Sequence, residues 1–366
     1  MSTKSSRPLP TPRVEGQLRV ENYDFSLSLT LLIKKMKEIK TILKSMLPPF
    51  SWKGLGVGFL FFTLNSSPLR AQDETIVFTP QWTAQAQFAG YYVAEEKGFY
   101  REAGVKVRIE HPSATQPAMS RLRNNECQAT TLQVCQALEI IDGGIPLVNI
   151  LQTSMNNAMV IVSVRDKDPL TQKGARVGIW SVGFGQLAIC MSIKDHLNYE
   201  WVRFAQNINL FVAGALDATL AMSYNEYYQL VQAGIKMTDK NVYRFCDHGY
   251  NVQEDGVYMT REYYAQHKEQ ARRFAQASRK GWEWAAQHPD EALDIVMKYV
   301  EKNNIATNRV MQRLMLKEVL RLQVDRESKK REFRLRPDMV QQASRLMTEN
   351  KMLSHEVTYE ELVSEE

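Results

Sequence analysis

The chain has 366 residues, enough for about two domains. With 44% hydrophobic and 24% charged residues it has the composition of an ordinary globular protein. The net charge of +5 does not imply a nucleic-acid partner: residues 1–71 hold 11 of the 46 Lys and Arg and 4 of the 41 Asp and Glu, which leaves the rest at −2.

The first segment reads as an export leader. Lys34, Lys35, Lys37, Lys40, Lys44 and Lys53 precede the apolar run Gly54 to Leu64, and NSSPLRA then ends in Ala71. Basic region, short apolar core and small residue at the cut are the three parts of a secretory signal. The run of 11 residues is too short to span a bilayer, which takes roughly 20. Met36 offers a second start. No Cys lies between residues 60 and 75 to accept a lipid anchor. The expectation is a cut between Ala71 and Gln72 and a mature protein in the periplasm; the competing reading is a buried core helix.

Beyond the leader, short β-branched runs alternate with helical patterns, which points to α/β layers. TIVFTP (75–80) reads as a strand, and FAGYYVAEEKGFYREAG as a helix closed by Gly104. KVRIEHP, PLVNILQTS and AMVIVSV follow as strands and ATTLQV as a short buried strand or turn, with a helix at AMSRLRNNE. After the loop KDPLTQKG the pattern restarts with RVGIW (176–180), and Gly183–Gly185 opens a helix through LAICMSIKDHL. VRFAQNI, ATLAMS, YRFCD and GVYMT read as further strands, and EYYQLVQAG as a helix. From Arg261 the chain is helical, with a start signal at Pro289. The restart near Arg176 and the return near Gly256 predict two α/β lobes joined by two crossings, with a cleft between them. The expected divisions are 1–71 for the leader, 72–163 for the first part of lobe 1, 164–256 for lobe 2, and 257–366 for the return and a helical tail.

The candidate site residues are few. No G-x-S-x-G, P-loop or H-E-x-x-H motif is present. Gly183 and Gly185, following Trp180, either form a tight strand-to-helix turn or offer free backbone N–H groups to a polar ligand edge. Ser113 and Thr115 in PSATQP either cap a helix or make a similar offer. Asp247 lies beside His248 in the polar turn CDHGYN. In SYNEYYQL, Glu226 follows Tyr224 among rings and amides; it is either a carboxylate for ligand N–H groups or a helix-start residue favourable at the dipole. Cys127, Cys135, Cys190 and Cys246 make no C-x-x-C pair, so a zinc site is not expected. Cys127 and Cys135 either pair or stay as buried thiols.

The stretch QWTAQAQFAGYYVAEEKGFYREAGVKVRI resembles the opening of periplasmic binding proteins related to fungal thiamine-pyrimidine synthase. GARVGIW with its Gly turn, LVQAG and RFAQASRKGWEWAAQHPDEALDIV are similar to later parts of that family, over residues 75–300 in all. The resemblance implies a type II periplasmic-binding fold, in which two lobes close on a small ligand. It also implies a thiamine-precursor-like pyrimidine as ligand, no cofactor, and an ABC permease as partner for a monomeric protein. A sensor kinase is the alternative partner. Two departures argue against the enzyme branch: Phe88 stands where the fungal synthases carry a His that supplies pyrimidine atoms, and no cysteine-rich segment occurs. ECQATTLQV replaces the family's usual turn on one wall of the cleft. Trp82, Phe88 and Tyr91, at the first strand-to-helix junction, are then the expected rings of the crevice, placed to stack on a planar ligand.

Overall fold

The computed structural model of the chain describes residues 74–364, apart from Ala114, Arg165, Val182 and 205–207. The expected leader and its cut after Ala71 lie outside the described residues. Four short strands open the fold: β1 (Ile76–Thr79), β2 (Val107–Ile109), β3 (Ala129–Leu132) and β4 (Leu147–Gln152). The chain then crosses to build β5 (Met159–Ser163), β6 (Arg176–Trp180), β7 (Glu200–Phe204), β8 (Ala218–Met222) and β9 (Val242–Arg244). It returns as β10 (Gly256–Thr260).

These strands form two sheets of the same plan, β2-β1-β3-β10-β4 and β7-β6-β8-β5-β9. In each, the first three strands run parallel. The fourth position is an antiparallel strand that has just crossed from the other lobe, β10 in the first sheet and β5 in the second. IVFT of β1 and ATLAM of β8 are buried throughout, as strands covered on both faces must be.

The strand membership moves one expected division. The boundary after residue 163 would leave β5 in lobe 1, but β5 pairs with β8 and β9 in the second sheet, so the chain crosses at 153–158. A short apolar run such as AMVIVSV reads the same in either sheet, and only its pairing decides. Smaller differences have local causes. The helix expected over 88–104 breaks at Gly98, whose φ of +76° ends it. YRFCD is a strand only to Arg244 before a 3-10 turn, Phe245–Asp247.

Eight helices of seven or more residues occur among the described residues: α1 (Ala89–Glu96), α2 (Val134–Asp142), α3 (Gln186–Lys194), α4 (Glu226–Gln232), α5 (Lys268–Gln287), α6 (Pro289–Lys302), α7 (Arg309–Leu322) and α8 (Pro337–Glu349). α1 packs against α5 and α6. Two glycines set how closely. A Cβ on Gly90 would lie 2.2 Å from the Trp282 ring, and one on Gly281 would lie 2.1 Å from the Gly90 carbonyl oxygen.

The aromatics of α1 and the turn after it fill this interface. Tyr91 sits between Phe78 at 4.6 Å and Trp282 at 5.6 Å between ring centroids. Tyr92 stacks on Tyr299, and Tyr100 on Phe274. Each is buried, and each buried ring of this size contributes about 1.5–3 kcal/mol of transfer free energy.

The two crossings are bonded to each other. The backbone N–H of Asn157 donates to Asn251 Oδ1 at 2.8 Å, and its side-chain amide donates to the Val252 carbonyl at 3.0 Å. The N–H of Ala158 donates to Glu254 Oε2 at 2.9 Å. The end of α7 braces them, because the Leu322 carbonyl accepts from Met155 N–H and from the Asn156 amide. α8 packs against α2 of the first lobe and α3 of the second, so the C-terminal segment straps both lobes.

Candidate functional site

Two turns, one from each lobe, face each other across the cleft. In the first lobe the residues after β1 do not enter a helix at once. They run through a loop and a 3-10 turn, Ala86–Phe88, before α1 begins. This delay turns Gln81, Trp82, Gln85 and Gln87 toward the cleft. The loop is pinned from behind. The N–H of Gln81 donates to Thr131 Oγ1 at 2.9 Å, and the N–H of Ala86 donates to Gln312 Oε1 at 2.7 Å. His111 donates from Nδ1 to the Trp82 carbonyl at 2.7 Å, so its Nε2 accepts from the Tyr92 hydroxyl, also at 2.7 Å. Burial lowers the His111 pKa to about 4, which keeps the ring neutral in this role.

In the second lobe the turn after β6 is S-V-G-F-G. Gly183 and Gly185 take φ of +74° and +101°, a region that L side chains rarely enter, and they hold Phe184 at the cleft between them. A Cβ on Gly185 would also meet Ile179 Cδ1 at 2.8 Å. The Phe184 ring meets Trp82 of the first lobe at 5.6 Å and Trp180 of its own at 6.3 Å, edge-on in both pairs. Met222, Tyr224, Asn225 and Glu226, from the end of β8 and the start of α4, complete this wall.

Glu226 is fully buried and its carboxylate is engaged within the protein. Oε1 accepts from Trp180 Nε1 and Asn225 Nδ2, both at 3.2 Å, and Oε2 accepts from the Met222 N–H at 3.0 Å. Burial raises its pKa. Its evident effect is to fix the Trp180 indole edge-on to the cleft, a partner 46 residues away that no local pattern could supply.

The lobes touch through amides as well as rings. Gln136 on α2 donates to the Gly183 carbonyl at 3.1 Å, and Gln186 on α3 donates to Glu139 Oε2 at 2.7 Å. The hollow they close measures about 330 Å³ counting its open mouth, but only about 30 Å³ of it would take a water-sized body. Among the described residues that line it there is no Lys or Arg.

The structure brings together Trp82, Trp180, Tyr224 and Glu226 on the cleft, with Gly183 and Gly185 flanking Phe184. It does not bring the other five candidates there. Phe88 and Tyr91 are core residues, each about 1% exposed: Phe88 packs on His111, and Tyr91 on Phe78 and Trp282. Tyr91 points toward α5 and the sheet, and Phe88, at the end of the 3-10 turn that packs on α7, points toward His111, so neither ring faces the cleft. Ser113 and Thr115 lie in an exposed loop and bond to each other at 3.2 Å. Asp247 pairs with Arg326 at 2.6 Å beside a separate hollow lined by Arg244 and Arg321. The residues missed by sequence reading are Gln81, Gln85, Gln87, Gln133, Phe184, Met222 and Asn225. The three glutamines of QWTAQAQ were the one available signal, an amide run beside a tryptophan.

All four cysteines are free thiols. Cys127, Cys135 and Cys190 are buried, and no disulfide joins Cys127 to Cys135. Among the described residues no group of three or more His, Cys, Asp or Glu is placed to hold a metal ion.

Residues 85–292 match the profile of the family described as NMT1/THI5 like. Two curated proteins are similar. The formylaminopyrimidine-binding protein of Halalkalibacterium halodurans is 22% identical over 245 residues, covering 63% of this chain and 72% of that protein. The riboflavin-binding protein RibY of Chloroflexus aurantiacus is 24% identical over 271 residues, covering 70% and 74%. Among solved structures, the periplasmic aliphatic sulphonate binding protein SsuA from Escherichia coli superposes with a TM-score of 0.57 at 12% identity, covering 80% of this chain and 92% of that one. The likeness places the two-lobed architecture in the periplasmic-binding fold.

Proposed function

The chain belongs to the NMT1/THI5-like family, and from that premise we propose that it is an exported solute-binding protein. It captures a small planar, nitrogen-bearing molecule of the aminopyrimidine class in the cleft and delivers it to an ABC permease. The observation that carries this reading is the lining of the cleft: two indoles, a phenylalanine and a tyrosine for stacking, amides for hydrogen bonds, and no cation. Flat rings with exocyclic amines suit such walls. A sulfonate or nitrate would bring a negative charge against buried Glu226 with no Lys or Arg to meet it. The names of the two curated relatives, one binding a pyrimidine and one a flavin, agree with a planar nitrogen heterocycle.

Binding rather than catalysis is the reading the family supports, and the phenylalanine at position 88, packed in the core, leaves no side chain there to give up atoms to a product. The basic and apolar leader supports export, with the cut between Ala71 and Gln72. No described helix is long and apolar enough to cross a membrane. The protein works as a monomer, its lobes moving about the crossings at 153–158 and 245–255, with ligand stabilising the closed state.

Thermal denaturation tests the ligand class. A molecule that binds only the folded form adds about 2.7 kcal/mol at a hundredfold excess over Kd, which raises Tm by about 5 °C or more. Aminopyrimidines should give that shift, and alkanesulfonates and nitrate none. A shift with sulfonates alone would overturn the ligand class and leave the binding role in place.

A further inference from the structure

We propose that Asp255 fixes the orientation of the Gln81 and Gln87 amides, and thereby makes the first-lobe wall of the cleft a hydrogen-bond acceptor that selects ligands presenting an N–H group. The proposal rests on the reading of the cleft as the ligand site.

Asp255 lies in the second crossing, one residue before β10, with a φ of +47° and a carbonyl that accepts from the Thr153 N–H of the first crossing at 3.3 Å. Its carboxylate is buried behind the wall. Gln81 Nε2 donates to Oδ1 at 2.6 Å, and Gln87 Nε2 donates to Oδ1 at 3.1 Å and Oδ2 at 3.0 Å. Among the described residues no Lys or Arg pairs with it. The titratable groups that face it are Glu254 beside it in the chain, Tyr91 from α1 and Tyr224 from the second-lobe wall, and none of them brings a positive charge.

The chemistry then fixes the amides. The two ends of a glutamine amide have nearly the same shape, so the partner decides which end faces it. An ionised carboxylate only accepts, so both NH₂ groups must turn toward Asp255 and both carbonyls away. The Gln87 carbonyl accepts from Gln85 Nε2 at 2.6 Å, which passes the same polarity one residue further along the wall. Gln81 is the end of the other branch. It is a lining residue of the cleft, and its Oε1 is buried with no donor among the described residues. A buried acceptor without a donor is unfavourable, and a ligand N–H set against it removes that penalty. An acceptor-only ligand edge at the same place would meet lone pairs with lone pairs.

A protonated Asp255 could donate instead, and would release one amide to turn over. The selectivity therefore belongs to the ionised form. Burial raises the Asp255 pKa to about 6, against the lowering effect of the two glutamines, so the carboxylate is ionised at neutral pH and the acceptor wall is set there.

The test has a ligand-free arm and a ligand arm. In the free protein at pH 8, proton–nitrogen NMR of the side-chain amides, assigned with Gln81→Leu and Gln87→Leu, should show both NH₂ groups slowly exchanging. Asp255→Asn, which keeps the shape and suits the left-handed backbone, should lose that protection. In the second arm, calorimetry compares 4-aminopyrimidine with 4-methoxypyrimidine. Wild type should prefer the amine by about tenfold or more, and both Asp255→Asn and Gln81→Leu should bring the ratio to within about twofold. An unchanged ratio in Gln81→Leu, or amide protection that survives Asp255→Asn, overturns the proposal. Should Asp255→Asn fail to fold, Gln81→Leu alone decides. A wild type that binds neither probe, with amide protection lost in Asp255→Asn, removes the aminopyrimidine reading and leaves the oriented amides standing.

Discussion

The two walls of the cleft present different faces, one mostly amides and the other mostly rings. In the first lobe amides dominate the cleft face, Gln81, Gln85 and Gln87 with Trp82 as the ring among them, and Phe88, Tyr91 and Tyr92 lie behind in the core. In the second lobe rings dominate the face, Trp180, Phe184 and Tyr224, with Asn225 and Glu226 beside them and Glu226 holding the Trp180 indole by its Nε1. Both follow a parallel strand at the same position of the same sheet plan. The difference therefore comes from the turns. A loop and 3-10 turn delay the helix in the first lobe, while two left-handed glycines swing one phenylalanine outward in the second. Which residue faces the cleft is decided by turn geometry more than by residue type.

The largest test of that contrast is Phe88→Ala. If Phe88 belongs to the core, urea denaturation should show a loss of about 3–5 kcal/mol, with ligand affinity unchanged while the protein stays folded. Lost affinity with full stability would return Phe88 to the wall.

The buried carboxylates give the second test. Asp255 titrates near 6 when folded, above its ordinary 3.8, so the folded state holds this proton more tightly than the unfolded state. Its contribution to stability is therefore full at low pH and is lost as pH rises from about 4 through about 6, a change of about 3 kcal/mol. Burial also raises Glu226 and Glu254, which act in the same direction. The stability difference between wild type and Asp255→Asn, measured from pH 4 to pH 7.5, should move by that amount against the wild type. A difference flat with pH would show that Asp255 is solvated.

Trp82→Ala is a smaller effect aimed at the rim. Trp82 is half-buried and edge-on to Phe184, so its loss should weaken binding by roughly 1–3 kcal/mol with the fold intact. A fall in Tm with unchanged Kd would make it a packing residue. Smallest of all is Asp247→Ala. Its pair with Arg326 is exposed on both sides, so stability should change by less than about 1 kcal/mol, and ligand affinity not at all.

Much of this was legible in the sequence. The β-branched runs gave nearly every strand, the restart near Arg176 and the return near Gly256 gave two lobes, and the Gly183–Gly185 turn and Trp180 marked one wall. What could not be read were relations across the chain. The helical period groups Phe88 with Tyr91 on one face, but nothing local says whether that face meets sheet or cleft. Glu226 stands out among aromatics, yet its partner Trp180 is a tertiary neighbour. Asp255 lies in an unremarked DG step, and its partners are 168 and 174 residues away.

The narrowness of the hollow has a kinetic consequence. Only about 30 Å³ of the hollow takes a water-sized body, so a heterocycle of the proposed class enters only when the lobes separate, and they then close over it less tightly than in this structure. Association then waits on separation of the lobes and falls below the usual encounter rates of about 10⁵–10⁷ M⁻¹s⁻¹ whenever that separation is slow. Dissociation waits on the same motion. A substitution in the crossings that raises only the barrier to separation slows both steps by one factor, lengthening residence while Kd stays where it was.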